Sequence, residues 1–89
     1  MYLRDVVEEA RYAQDLDNYR RLFPEIDDLQ AIIVWILSRQ PTSGEPLAVA
    51  PDFRVFTTEQ TATMPAFHIL YSFDENNVYL HSIQKVELE

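Results

Sequence analysis

Apolar residues recur at three- and four-residue steps in the first half of the chain and alternate in the second. Leu3, Val6, Val7, Ala10, Ala13, Leu16 and Tyr19 form one stripe, which predicts an amphipathic helix over residues 3–22. Pro24 disfavours helical backbone at Phe23 and suits the first turn of a new helix. Ile26, Leu29, Ile32, Ile33, Ile36 and Leu37 predict that second helix over 25–39. Val34 and Trp35 widen its apolar face, so Trp35 is expected in the core. Pro41, Gly44 and Pro46 end the helical half, and Gly44, the only glycine, is expected at a left-handed turn position.

Alternation after Pro51 predicts a strand over 53–57. A polar connection over 58–65 leads to two further strands, about 66–73 and 78–86, joined by Asp74-Glu75-Asn76-Asn77 as a hairpin. Pairing across that loop sets Phe73 opposite Val78, Tyr71 opposite Leu80 and Ile69 opposite Ser82. Phe67, Ile69, Tyr71, Phe73, Val78 and Leu80 then face the helices, while His68, Leu70, Ser72, Tyr79, His81 and Ile83 face away. The expected architecture is α+β: one domain over residues 1–87, with two helices on an antiparallel sheet of about three strands. Leu88-Glu89 has the look of a cloning scar and is left out of the domain.

Composition narrows the chemistry. There is no cysteine among the 89 residues, so thiol nucleophiles, disulfides and metal–thiolate sites are excluded. The 15 acidic residues against 7 Lys and Arg give a net charge of −8, spread over both halves, which disfavours RNA or DNA as the main partner. The longest apolar run, Ala31–Leu37, is too short to span a bilayer, and the first residues do not read as a secretion signal, so the cytoplasm is the expected compartment. No phosphate-binding loop or dinucleotide fingerprint is present, and no cofactor or metal is expected.

Four residues stand out as candidates. His68 and His81 are the only histidines, and the expected register makes them diagonal neighbours, roughly 7–8 Å apart between backbones. They fit either proton transfer beside a substrate or a pair of half-exposed polar side chains. A metal site would need a third ligand, which these strands do not offer. Arg54 and Lys85 are the only basic residues after Arg39. If consecutive strands pair, both can lie near the histidine face as an anion clamp; local pairing with Asp52 or Glu87 accounts for them equally simply.

Tyr19-Arg20-Arg21-Leu22, the Gly44-Glu45-Pro46-Leu47 loop, Phe53-Arg54-Val55 and Phe67-His68-Ile69-Leu70-Tyr71 occur in that order. This succession resembles the RelE/ParE toxin superfamily over about residues 16–87. The resemblance implies two helices on a curved antiparallel sheet and a toxin-like component of a toxin–antitoxin system. RelE-like members cleave mRNA on the ribosome, ParE-like members inhibit gyrase, and both are held by an antitoxin protein. By position, Arg54 and Lys85 match family basic residues, Tyr71 matches a motif tyrosine, and His68 stands where the family usually has arginine. An active member would use His68 or His81 for protons and Arg54 with Lys85 for the scissile phosphate. The negative charge and His68 point to nuclease activity that is weakened or lost. The alternative is a non-catalytic protein-interaction domain on the same scaffold, and a small-ligand binder ranks below it. Helix-forming sequence occupies the place of the family's first strand, which would leave a sheet edge free for self-association.

Overall fold

A computed structural model describes residues 3–87; the expected scar at 88–89 lies outside the described residues. The order of elements is β1 (Asp5–Glu8), α1 (Ala10–Leu22), α2 (Ile26–Arg39), a 3-10 turn (Pro41–Ser43), β2 (Glu45–Pro46), β3 (Phe53–Thr57), β4 (Phe67–Phe73) and β5 (Asn77–Lys85). The expected second helix, the strand over 53–57 and the hairpin are found within a residue or so of their predicted bounds. The sheet, however, has five strands in the order β1-β5-β4-β3-β2, not three.

The two additional strands have local causes. Residues 5–8 are spaced like a helix but contain the β-branched pair Val6-Val7, which suits extended backbone. They pair parallel with β5, from Asp5 beside Asn77 to Glu8 beside Leu80. Val6 thereby reaches the core, and α1 starts only at Ala10. The edge expected to be free beside β5 is therefore occupied. At the other end, Glu45 and Pro46 pair with Val55 and Arg54, a bridge too short to show as alternation.

Both helices cover one face of the sheet. The core joins Tyr12, Leu16, Ile26, Ile33 and Leu37 to Phe67, Ile69, Tyr71, Val78, Leu80 and Ile83. Ile83 departs from the expected register. Pairing runs as predicted from Phe73–Val78 to Tyr71–Leu80, then shifts so that Leu70 faces Ser82 and Ile69 faces Ile83. His81 is the extra residue of this bulge, and its insertion turns Ile83 from the open face into the core, where it is 0% exposed. Trp35 departs in the opposite sense: it is 59% exposed, with the Arg39 guanidinium 4.4 Å above its ring. No helix among the described residues is long and apolar enough to cross a membrane.

Candidate functional site

The face of the sheet away from the helices carries both histidines, each tied to a hydroxyl on the neighbouring strand. His81 Nε2 and Ser72 Oγ are hydrogen-bonded at 2.7 Å, and the Phe53 ring lies 5.2 Å from the His81 ring. The bulge brings this group together, because it sets His81 out of pair beside Ser72. His68 Nδ1 and Thr57 Oγ1 are hydrogen-bonded at 2.9 Å across β3 and β4. The two pairs lie at different levels of the sheet: Ser72 stands opposite Phe53, and His68 opposite Thr57. Tyr79 completes the face near the hairpin, where its hydroxyl donates to Asp74 at 3.0 Å. Asp74 also accepts the N–H groups of Asn76 and Asn77, both at 2.8 Å. These bonds hold its carboxyl below the ordinary carboxylate value, and the bond to Asp74 raises the Tyr79 hydroxyl.

Arg54 is on the other side. It pairs with the buried Tyr71, and cross-strand partners share a face, so its side chain runs toward the helix layer. There Arg54 Nη1 donates to the carbonyls of Gly44 at 2.7 Å and Thr42 at 3.3 Å, with its guanidinium 5.9 Å from the Phe73 ring. Arg4 approaches the same ring at 5.5 Å and donates to the Asp74 carbonyl. Lys85 pairs with Phe67, at the opposite end of β4 from Phe73, and its backbone N–H donates to the Tyr19 hydroxyl at 2.9 Å. The expectation that Arg54 and Lys85 join the histidines on one face is therefore corrected. Alternation puts both on the helix side, at opposite ends of the sheet. Among the described strand residues, the open face carries no Lys or Arg.

The Arg54 bonds belong to a latch that closes the 41–46 loop. Tyr71 donates its hydroxyl to the Pro41 carbonyl at 2.6 Å and accepts the Gly44 N–H at 2.8 Å. Burial pushes the Tyr71 hydroxyl up, opposed by the Gly44 N–H and the nearby Arg54 charge. Gly44 has φ −82° and ψ 165°, ordinary extended backbone, so the left-handed turn expected for it is absent. Its requirement is space: a Cβ there would lie 2.7 Å from Tyr71 Oη and 2.7 Å from the Val55 carbonyl oxygen.

Sequence reasoning missed the partners of the histidines. Ser72 stood on the expected face beside His81, but it matched no nucleophile motif. Thr57 had no visible partner until the β3–β4 register was known. As chemistry, the His81–Ser72 pair can take or give a proton at the open face. Among the described strand residues, no Lys or Arg shares that face with it to hold a phosphate.

Among solved structures, this chain is similar to a chain of the RelBE2 toxin–antitoxin complex from Mycobacterium tuberculosis. The two are 21% identical, the match covers 94% of this chain and 99% of that one, and the TM-score is 0.66. No family model and no curated protein sequence matches. This chain thus shares the fold of a chain of that complex, and here the fold is α+β with two helices and a five-stranded sheet.

Proposed function

We propose that this chain is a toxin-like component of a toxin–antitoxin system, held by an antitoxin-like protein, with an mRNA-cleaving capacity that is weakened or lost. The fold supports the first part, since the similar chain comes from a toxin–antitoxin complex. The second part rests on one observation: among the described strand residues, the open face has two histidines and no Lys or Arg. Phosphate binding and stabilisation of a pentavalent transition state draw on fixed positive charge aimed at the reacting oxygens. Any residual cleavage would use His81, with Ser72 orienting its ring, or His68 as the proton carrier. In this reading Arg54 and Lys85 contribute to phosphate binding only if the RNA reaches around the sheet to the helix side. Arg54 otherwise serves the Gly44 latch.

Induced expression in a bacterial host tests the reading. A toxin-like component should slow growth, and co-expression of the product of an adjacent short gene should restore it. His81→Ala and His68→Ala should leave most of the arrest intact if cleavage is lost, and relieve it if cleavage persists. Unslowed growth, together with no stable complex with a neighbouring gene product, would leave the stand-alone interaction domain as the better description. The exposed Trp35 and Ile32 on α2 favour that second reading.

A further inference from the structure

The outer side of α2 carries a stripe of its own. Asp28, Ile32, Trp35 and Arg39 follow one another at steps of four, three and four residues. At about 100° per residue they fall within about 60° of arc, opposite Ile26, Ile33 and Leu37, which bury the other side of the helix. Ile32 is 54% exposed and Trp35 59%, and Asp28 and Ala31 are exposed as well. An acid opens the stripe, two large apolar residues fill its middle and a cation closes it. The helix dipole accounts for the acid in the first turn and the base in the last, but not for the bare apolar residues between them.

Neither charge is matched inside the chain. Asp27 pairs with Arg20, but among the described residues no cation pairs with Asp28 and no carboxylate with Arg39. Arg39 is nevertheless held along the stripe. Its guanidinium lies 4.4 Å from the Trp35 ring, and Nη1 donates to the Trp35 carbonyl at 3.1 Å and to Ser38 Oγ at 3.3 Å. Beside it, Trp35, Ile36, Arg39 and Gln40 line a recess of about 230 Å³.

We propose that α2 pairs antiparallel with α2 of a second copy of this chain, about a two-fold axis that passes between Ile33 and Val34. Counted outward from that axis, Asp28 meets the partner's Arg39, and Ile32 meets the partner's Trp35. The stripe is complementary to itself, as a two-fold interface requires. The recess stands opposite the partner's Ile32, which enters it as a knob enters a hole, and steps of three and four suit two helices crossing at a shallow angle. A parallel pair would set Asp28 against the partner's Asp28 and Arg39 against the partner's Arg39, which like charge opposes. The net charge of −8 on each copy works against association. The contact is also only about three turns long, so the pair is of the weak, transient kind, dissociating on the order of 0.1 mM. The stripe points away from the sheet, so the dimer leaves the histidine face open. The inference does not depend on the function proposed above.

Sedimentation equilibrium of the full chain from about 5 µM to about 1 mM tests it. The dilute chain should be a monomer in which Trp35, the only tryptophan, emits as exposed indole; the concentrated chain should be mostly dimer, with that emission moved to the blue. Ile32→Asp should weaken association at least about tenfold, by setting a charge against the partner's Trp35. Asp28→Arg and Arg39→Asp should each do the same through like charge. Mixing those two variants should restore the dimer to within about threefold of wild type, because every charge contact in the mixed pair joins opposite signs. The chain has no cysteine, so Asp28→Cys and Arg39→Cys chains report the orientation by cross-linking. They should form a disulfide rapidly only when mixed, since like positions lie about 16 Å apart along an antiparallel pair. Circular dichroism confirms that each variant is folded, and Asp28 and Ile32 are exposed, so their replacement leaves the core intact. A chain still monomeric at the highest concentration, its stripe left to some other partner, overturns the proposal. So does a dimer that Ile32→Asp does not weaken, a mixture of the charge variants that does not associate, or a cysteine variant that cross-links alone as fast as the mixture does.

Discussion

Gly44 offers the sharpest check on the latch. Its backbone is extended, so replacement by Ala costs nothing in φ and ψ and should even gain about 0.4–1 kcal/mol by restricting the unfolded chain. Against that gain, the new methyl group would lie 2.7 Å from both Tyr71 Oη and the Val55 carbonyl oxygen, and 2.8 Å from Tyr71 Cε1. Tyr71 is fully buried, so it has no room to swing away. Overpacking of this kind costs about 1–3 kcal/mol, and losing the Gly44–Tyr71 hydrogen bond adds about 0.5–1.5 kcal/mol. The expected net loss for Gly44→Ala is about 2 kcal/mol, a fall in melting temperature on the order of 10 °C for a domain of this size. Urea unfolding followed by circular dichroism measures it. Tyr71→Phe alone should cost about 1–3 kcal/mol by leaving the Gly44 N–H and Pro41 C=O unpaired. The double variant should be less damaged than the sum by at least about 0.5 kcal/mol, because removing Oη relieves one of the two closest contacts. Gly44→Asn separates crowding from backbone conformation. A left-handed position accepts Asn readily, whereas a crowded extended one does not. A Gly44→Ala variant within about 0.5 kcal/mol of wild type, or an Asn variant markedly better than Ala, would refute the reasoning.

Other outcomes follow from the bulge, the exposed tryptophan and the hairpin. Ile83→Ala should cost about 2–5 kcal/mol in urea unfolding, as a fully buried side chain does; a loss near zero would return Ile83 to the open face. Trp35→Ala should cost under about 1 kcal/mol, mainly its contact with Arg39, and native Trp35 should fluoresce near the wavelength of exposed indole. A blue-shifted native spectrum would contradict this. Asp74 has a lowered folded pKa, so its contribution to stability is present above the unfolded value, near pH 4, and is lost as pH falls through the folded value. Asp74→Asn should flatten that part of the acid-unfolding profile, and an unchanged profile would count against the hairpin hydrogen bonds.

Elements that bury one clear face were legible in the sequence. The α2 stripe and the β4 alternation gave the core residues Ile26, Ile33, Leu37, Phe67, Ile69 and Tyr71 directly. What escaped was set by tertiary pairing. Residues 5–8 satisfy a helical spacing and become a strand only because β5 offers an edge. The bulge at His81 leaves no mark in local composition, yet it decides which face Ile83 occupies. Gly44 looked like a turn residue because most lone loop glycines are; its reason for being glycine is a tyrosine 27 residues away. Trp35 looked like core because an apolar stripe records how much surface a helix wants covered, not whether its own sheet is wide enough to cover it.

Net charge alone argued only against nucleic acid in general. The structure locates the cations. Arg4 and Arg54 bond backbone carbonyls beside Phe73, Arg11 pairs with Asp15, Arg20 with Asp17 and Asp27, and Arg39 lies on Trp35. Arg21 is in the last turn of α1, and Lys85 closes β5 on the helix side. Each is accounted for off the open face. A change in overall charge would therefore do little for phosphate binding there, whereas one cation placed beside His81 would do more. His68→Arg puts a guanidinium on that face without disturbing the core or the His81–Ser72 pair. If the missing cation is what limits cleavage, this variant should raise mRNA cutting on translating ribosomes above wild type, and should lose that gain when His81 is changed to Ala.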